Sequence, residues 1–380
     1  NPPFTEAAIG CENCHGPGEL HIRERGKGAA PLPDTTIVNP ARLPARLAED
    51  ICMMCHQGGQ ARALLPARQY DSFRPGTPLI GTVAIAELAG SAKETALLEH
   101  HESMKISRCF RESSGKLGCL TCHDPHEQPS AGGVPAYFRA KCLTCHTAAS
   151  CRLALNLRRA STPPDNCIGC HMPRRDVGVI AHSALTDHRI RRQPGQRFSA
   201  DLPPAGGIPG VRVLNAGEGQ TELPLITRLE LLGTLRDRDP QLTPQYAAAL
   251  EAAEKMLPDD PLVLAVLGRN ALTRDPAEAI RLLTRAEAAE KEKSGVARAS
   301  TYIDLGDALL RSGRPADSAA ALERGEGAHP WSKEIRKRLV LAWIQQKDYA
   351  KAAEALKRYV ADFPEDSFMR GLLKRVENRP

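Results

Sequence analysis

Five times in its first half the chain sets two cysteines three residues apart and follows them at once with a histidine: Cys11/Cys14/His15, Cys52/Cys55/His56, Cys119/Cys122/His123, Cys142/Cys145/His146 and Cys167/Cys170/His171. Two thiols at this spacing can add to the vinyl groups of one porphyrin, and the next histidine then reaches the iron from one side, which is the attachment signature of c-type haem. Zinc ribbons also pair Cys-x-x-Cys units, and thioredoxin-like proteins carry one on a βαβ frame. Neither explains why all five units are followed directly by histidine, and no βαβ pattern surrounds any of them. The motifs use ten of the twelve cysteines, and the expected cofactors are five haem c groups bound through those ten.

The proximal iron ligands are then His15, His56, His123, His146 and His171. Seven further histidines remain: His21, His100, His101, His126, His182, His188 and His329. His329 precedes Pro330 in an Ala/Leu-rich stretch and reads as a surface turn residue. The other six are candidates for five distal positions, so mainly bis-histidine, six-coordinate irons are expected. His126 lies three residues after His123, too close to reach round a porphyrin to its opposite face, so it serves a neighbouring haem. His21 is limited in the same way relative to His15. Distal ligands are therefore exchanged between motifs, and the haems form a close-packed group. His100 and His101 compete for one position. Met104 is the alternative there, and a methionine would raise that haem's potential. Asp187 sits where it can hydrogen-bond a neighbour or a ligand histidine. Met53 and Met54 read as haem-edge packing. Cys109 and Cys151 are left over, and in an oxidising compartment they form a candidate disulfide bracketing the third and fourth motifs.

Regular elements that would position these groups are sparse. Gly16, Pro17 and Gly18 make a turn after the first motif, with His21 on a short ordered segment. Residues 31–50 read as irregular chain and 61–84 as loop. From Ile85 to Phe110 the sequence looks helical in places, with apolar spacing at Leu97, Leu98 and Met104, forming an arm that carries His100 and His101. Val177, Val179 and Ile180 suggest a short extended segment. Aromatic content is only 4%, with 30 prolines and 30 glycines. Residues 1–192 are thus expected to fold around haem, the porphyrins supplying the apolar surface that aromatic side chains would otherwise provide.

The formal charge of +6 omits about ten haem propionates. Arginines concentrate at Arg152, Arg158, Arg159, Arg174, Arg175, Arg189, Arg191, Arg192 and Arg197, against Asp165, Asp176 and Asp187. These read as propionate partners on a solvated face, or as a docking patch for an acidic redox partner, and not as a nucleic-acid surface. Thioether attachment takes place outside the bacterial cytoplasmic membrane, so an exported, periplasmic or extracellular chain is expected. No apolar run approaches the roughly 20 residues of a transmembrane segment.

After a Pro/Gly-rich connection at 193–222 the composition shifts to Ala, Leu, Glu, Lys and Arg. Superposing Pro330 on Pro364 gives an offset of 34 residues that also aligns Leu305 with Leu339, Ser318 with Ala352 and Leu322 with Leu356. Each copy reads as helix, turn, helix, proline, and the pattern is similar to tetratricopeptide repeats. Leu267/Gly268 with Ala279 marks an earlier repeat, and Leu232/Gly233 with Ala247 a degenerate one. A helical repeat domain is therefore expected over 223–380, with protein binding or self-association as its role.

GCENCHGPGELH, SRCFRESSGKLGCLTCHDPH and CIGCHMPRRD with TDHRI resemble multihaem c-type cytochromes of the superfamily that includes the four-haem cytochrome of ammonia oxidation, the five-haem electron donor to nitrite reductase and octahaem reductases. The resemblance covers about residues 8–192. It implies haems in alternating stacked and perpendicular pairs with little regular structure between short helices, and by it His21, His126 and His188 look like distal ligands. Catalytic members keep one haem open or replace a proximal histidine by lysine, whereas all five motifs here end in histidine. The expected function is electron transfer to and from redox partner proteins, with the repeats mediating assembly, in a sharper form into a conductive filament. Reduction of a nitrogen or sulfur oxyanion at one open haem is the alternative.

Overall fold

The five motifs fold as single helical turns, and this explains their spacing. Residues i, i+3 and i+4 share one helix face, so both thiols and the imidazole of each motif point the same way. In three motifs the histidine N–H closes the turn on the first cysteine carbonyl: His15 on Cys11 at 2.9 Å, His123 on Cys119 at 3.0 Å and His146 on Cys142 at 3.0 Å. The computed structural model describes residues 9–28, 33–89, 100–176, 184–193, 195–196, 207–217 and 222–377. The chain divides into two units, Asn1–Thr243 and Pro244–Pro380.

The first unit contains α1 (Glu12–His15), α2 (Glu19–Arg25), α3 (Ala45–His56), α4 (His100–Ile106), α5 (Arg108–Glu112), α6 (Cys119–Cys122), α7 (Val134–Cys142), α8 (Leu155–Arg159), α9 (Cys167–His171) and α10 (Leu225–Leu235). Gly16, at φ 74°, stops α1 in a conformation that a side chain would strain. The Asn166 side chain caps α9 by accepting from Gly169 N at 3.1 Å.

Unlike the loop and linker expected from sequence, the unit also holds an antiparallel sheet of β1 (Ala61–Leu64), β2 (Val83–Leu88) and β5 (Val211–Val213), in the order β1-β2-β5. β3 (Arg174–Asp176) and β4 (Ala184–Thr186) pair separately. β1 and β2 lie in the stretch read as loop and at the start of the one read as helical, and β5 comes from the expected connection. Val83, Ala84, Ile85 and Ala86 are all fully buried, so β2 lacks the apolar/polar alternation that announces a strand. Ile51, Met53, Phe73, Leu79, Val83, Ile85 and Leu214 form the core on this sheet, with Met54 packed against it. Met53 is thus a core residue of the protein, in a cluster against which Cys14 of the first motif also packs. The buried Asn215 extends the sheet: its amide oxygen accepts from Ile85 N at 3.0 Å and its amide nitrogen donates to Val83 O at 2.8 Å. Leu97, Leu98, Val177, Val179, Ile180 and His182 lie outside the described residues.

The second unit contains α11 (Thr243–Met256), α12 (Pro261–Ala271), α13 (Pro276–Ser294), α14 (Ala299–Arg311), α15 (Pro315–Ala328), α16 (Lys333–Gln345), α17 (Tyr349–Asp362) and α18 (Ser367–Glu377). Proline at the first helical turn and Asp260, Asp275, Ser332 and Asp348 as side-chain caps fix where these helices start. From α12 onward each helix packs on the next, and α14 also packs on α16. The earlier repeat marked by Leu267/Gly268 and Ala279 corresponds to α12 and α13. The degenerate one does not form a pair within one unit, because Leu232 and Gly233 lie on α10, which packs on β1 and β2. His329 is half-buried, its Nε2 donating to Ala297 O at 2.7 Å, so it is a latch between α13–α14 and α15 and not a free surface residue.

Close helix approach depends on Gly306, where an added Cβ would stand 2.9 Å from Leu322 Cγ. Helix propensity alone favours Gly306→Ala by about 1 kcal/mol, but the fully buried Leu322 leaves no room. Gly306→Ala is expected to lower the thermal midpoint of the repeat unit. Leu322→Ala is expected to cost about 2–5 kcal/mol in chemical denaturation. A stabilised Gly306→Ala variant would refute this packing.

Candidate haem centres

The thiols succeed one another in space in the order of the motifs. Cys14 is pushed above the ordinary thiol value by burial and by the neighbouring Cys52 and Cys55. Cys52 lies beside Cys119 and, together with burial, pushes its thiol far above the ordinary value. Burial and the thiols of Cys167, Cys122 and Cys109 push Cys142 up to about 11. First motif meets second, second meets third, third meets fourth and fourth meets fifth, with α7 packed on both α6 and α9.

All twelve cysteines are unbonded in this structure. Cys11, Cys55, Cys145 and Cys170 are exposed, and the other eight are half-buried. Cys109 and Cys151 are not bridged in this structure: Cys109 lies beside Cys145 and Cys122, and Cys151 beside Cys167.

The imidazoles form pairs that join motif to non-motif histidines. His15 and His126 stack with centroids 5.8 Å apart and an interplanar angle of 11°. His56 and His100 stand 6.2 Å apart, and so do His123 and His188. A metal–imidazole bond is about 2 Å long, so two rings on opposite sides of one iron have centroids about 6 Å apart. The two latter pairs touch each other through His100 and His188, 4.2 Å apart. Burial, with His188, His56 and His123 around it, pulls His100 down to about 4, and burial lowers His123 and His188 as well. All three are neutral near pH 7 and so have a lone pair to offer a metal. Among the described residues neither His146 nor His171 has another histidine ring in contact, and His21 and His182 are the candidates left.

Ring orientation is set from the far nitrogen. A carbonyl only accepts, so Nδ1 is the donor where His15 meets Val38 O at 2.7 Å, His171 meets Arg191 O at 2.5 Å and His188 meets Thr186 O at 2.9 Å. In each case the carbonyl engages Nδ1 and not Nε2, the arrangement that orients metal-bound histidines generally. His21 Nδ1 meets the carboxylate of Asp34 at 2.8 Å. Asp34 is held far below the usual carboxylate range by Thr36, with Arg25 and His21 adding to the effect. Asp187 clamps Arg189 and Arg191 at 2.8 and 3.0 Å, rigidifying the segment whose carbonyls hold His171 and His188. Asp165 likewise takes Arg139 and Arg158 at 2.6 and 2.9 Å, so Arg158, Arg189 and Arg191 are internal braces and not a docking patch.

His101 and His100 part company here. His101 is buried, and its Nε2 donates to Glu49 at 3.0 Å with Glu102 3.6 Å from Nδ1. Burial works against its charge, but Glu102 and Glu49 outweigh it and lift the imidazole above its ordinary value. Glu102 in turn meets Lys105 at 3.2 Å and Arg212 at 2.7 Å, and Arg212 also pairs with Glu87. The network joins α3, α4, β2 and β5, and sequence reasoning missed it because its members lie far apart in the chain. Met104 is buried. Among the described residues no three His, Cys, Asp or Glu side chains converge as a cage for a bare ion; an iron porphyrin asks the protein for two axial nitrogens. No helix among the described residues is long and apolar enough to cross a membrane.

Residues 303–367 match the family model described as tetratricopeptide repeat, and the second unit carries repeats of this type. No curated protein matches the chain. Similar solved structures include the APC/C hetero-tetramer Cut9–Hcn1, with 22% identity, 40% of this chain and 29% of that one covered and a TM-score of 0.34. Two structures of MamA match at 18% identity, covering 37% and 40% of this chain and 80% and 86% of theirs, with TM-scores of 0.32 and 0.31.

Removing one member of a buried ion pair leaves its partners' charges uncompensated, at a cost of about 3–5 kcal/mol. Arg212→Met is expected to destabilise the first unit by that amount in denaturant titration and to speed its proteolysis, while the Glu87→Gln/Arg212→Met double variant recovers part of the loss.

Proposed function

We propose that this chain transfers electrons through five covalently attached haem c groups, mostly bis-histidine, and that its repeat unit mediates protein–protein assembly, in its sharpest form into a conductive cytochrome filament. The observation that supports this best is the spacing of motif and non-motif histidines: His15 with His126 at 5.8 Å, His56 with His100 at 6.2 Å and His123 with His188 at 6.2 Å. Each pair suits one iron, with the ten motif cysteines forming the thioethers. His146 and His171 would take His21 and His182. Bound at these turns, haem would supply one-electron chemistry between ferric and ferrous iron. The protein's own work is positional: carbonyls of Val38, Thr186 and Arg191 fix the rings, and the succession of motif turns sets neighbouring sites close together. His101 is a structural residue in this reading, because Glu49 engages its Nε2. The chain would be exported, where thioether formation occurs, and would exchange electrons with redox partner proteins. The tetratricopeptide repeats support the assembly role.

Expression in a host competent for haem attachment is expected to give a mass with five added haems and a low-spin ferric spectrum. A haem-free product would overturn the reading. His100→Ala is expected to create one high-spin haem by electron paramagnetic resonance, whereas His101→Ala leaves all irons low-spin and lowers stability. Electron microscopy over a range of concentrations tests the filament form, which is abandoned if only discrete particles are seen.

A further inference from the structure

The far-nitrogen partners of the candidate axial rings are not equivalent. His15, His171 and His188 donate to neutral carbonyls, whereas His21 donates to a carboxylate, Asp34 Oδ2, at 2.8 Å. That carboxylate is fixed in place. Its Oδ1 accepts from Thr36 N at 2.8 Å and Thr36 Oγ1 at 2.5 Å. Its Oδ2 also takes Arg25 Nε at 2.9 Å and Nη2 at 2.7 Å. Arg25 is on α2, one turn after His21, so one helix presents both the ring and the counter-charge, and the segment 33–36 brings the carboxylate to them.

Resting on the haem reading above, we propose that Asp34 is a positioning and tuning residue that lowers the reduction potential of the haem bound by His21. A carboxylate acceptor draws the Nδ1 proton toward itself, makes Nε2 a stronger donor and stabilises ferric over ferrous iron; a carbonyl does this less. The negative charge acts in the same direction through space, and Arg25 acts against it. The two residues thus bias one haem in opposite senses, the carboxylate toward ferric iron and the guanidinium toward ferrous.

The test uses the full-length haem-loaded protein, followed by potentiometric titration with visible absorbance and by electron paramagnetic resonance. Asp34→Asn is expected to move one of the five reduction steps to higher potential and to alter the g-values of one low-spin signal, with five haems still present by mass. Arg25→Gln is expected to move the same step lower. A merely structural role predicts no such opposition. Titrations that superpose on the unmodified protein, two variants that shift the step in the same direction, or haem loss without a shift in the remaining steps would each overturn the proposal. If the unmodified protein carries five haems and only the opposition fails, the tuning role falls and the haem reading stands; if it carries none, both fall.

Discussion

A five-residue helical turn with two thiols and an imidazole on one face cannot bury those groups by itself, so five such turns must be held by something else. For the second motif that support is a small sheet whose strands come from distant parts of the chain. α3 ends in the second motif and packs its Ile51 and Met53 on β2, so the sheet's core runs directly beneath that motif. Glu49 on the same helix reaches His101, and through Glu102 and Arg212 the contact continues to β5. The position of the second motif and of the neighbouring His100 therefore depends on a buried charge network that contains no motif residue.

What was legible in the sequence was what is local. Cys-x-x-Cys-His is complete within five residues, and its meaning as a one-face helical turn follows from i, i+3, i+4 geometry. The repeat pairs were legible because a 34-residue period displays Leu305/Leu339 and Leu322/Leu356 side by side. The sheet was not legible. β1 is Ala-Arg-Ala-Leu, β2 is buried on both faces, and the pairing of Glu87 with Arg212 spans 125 residues, so no window contains the evidence for it.

The same limit governed the ligands. Counting histidines left His100 and His101 equal, since they are adjacent and alike in type. The distinction lies in Glu49, 52 residues away, which occupies one nitrogen of His101 and leaves His100 facing His56. Asp34 is similar: thirteen residues from His21, in a stretch rich in proline, it shows no pattern that marks it, and only the fold reveals that it meets the ring.

The order of these parts along the chain sets an order of assembly. β5 begins at Val211, after the last motif histidine at position 171. A chain emerging from its N-terminus therefore presents all five Cys-x-x-Cys-His turns before the third strand exists, and Glu87 and Glu102 have no guanidinium until Arg212 arrives. The sheet is a clasp that can shut only after all five motifs have left the point of synthesis.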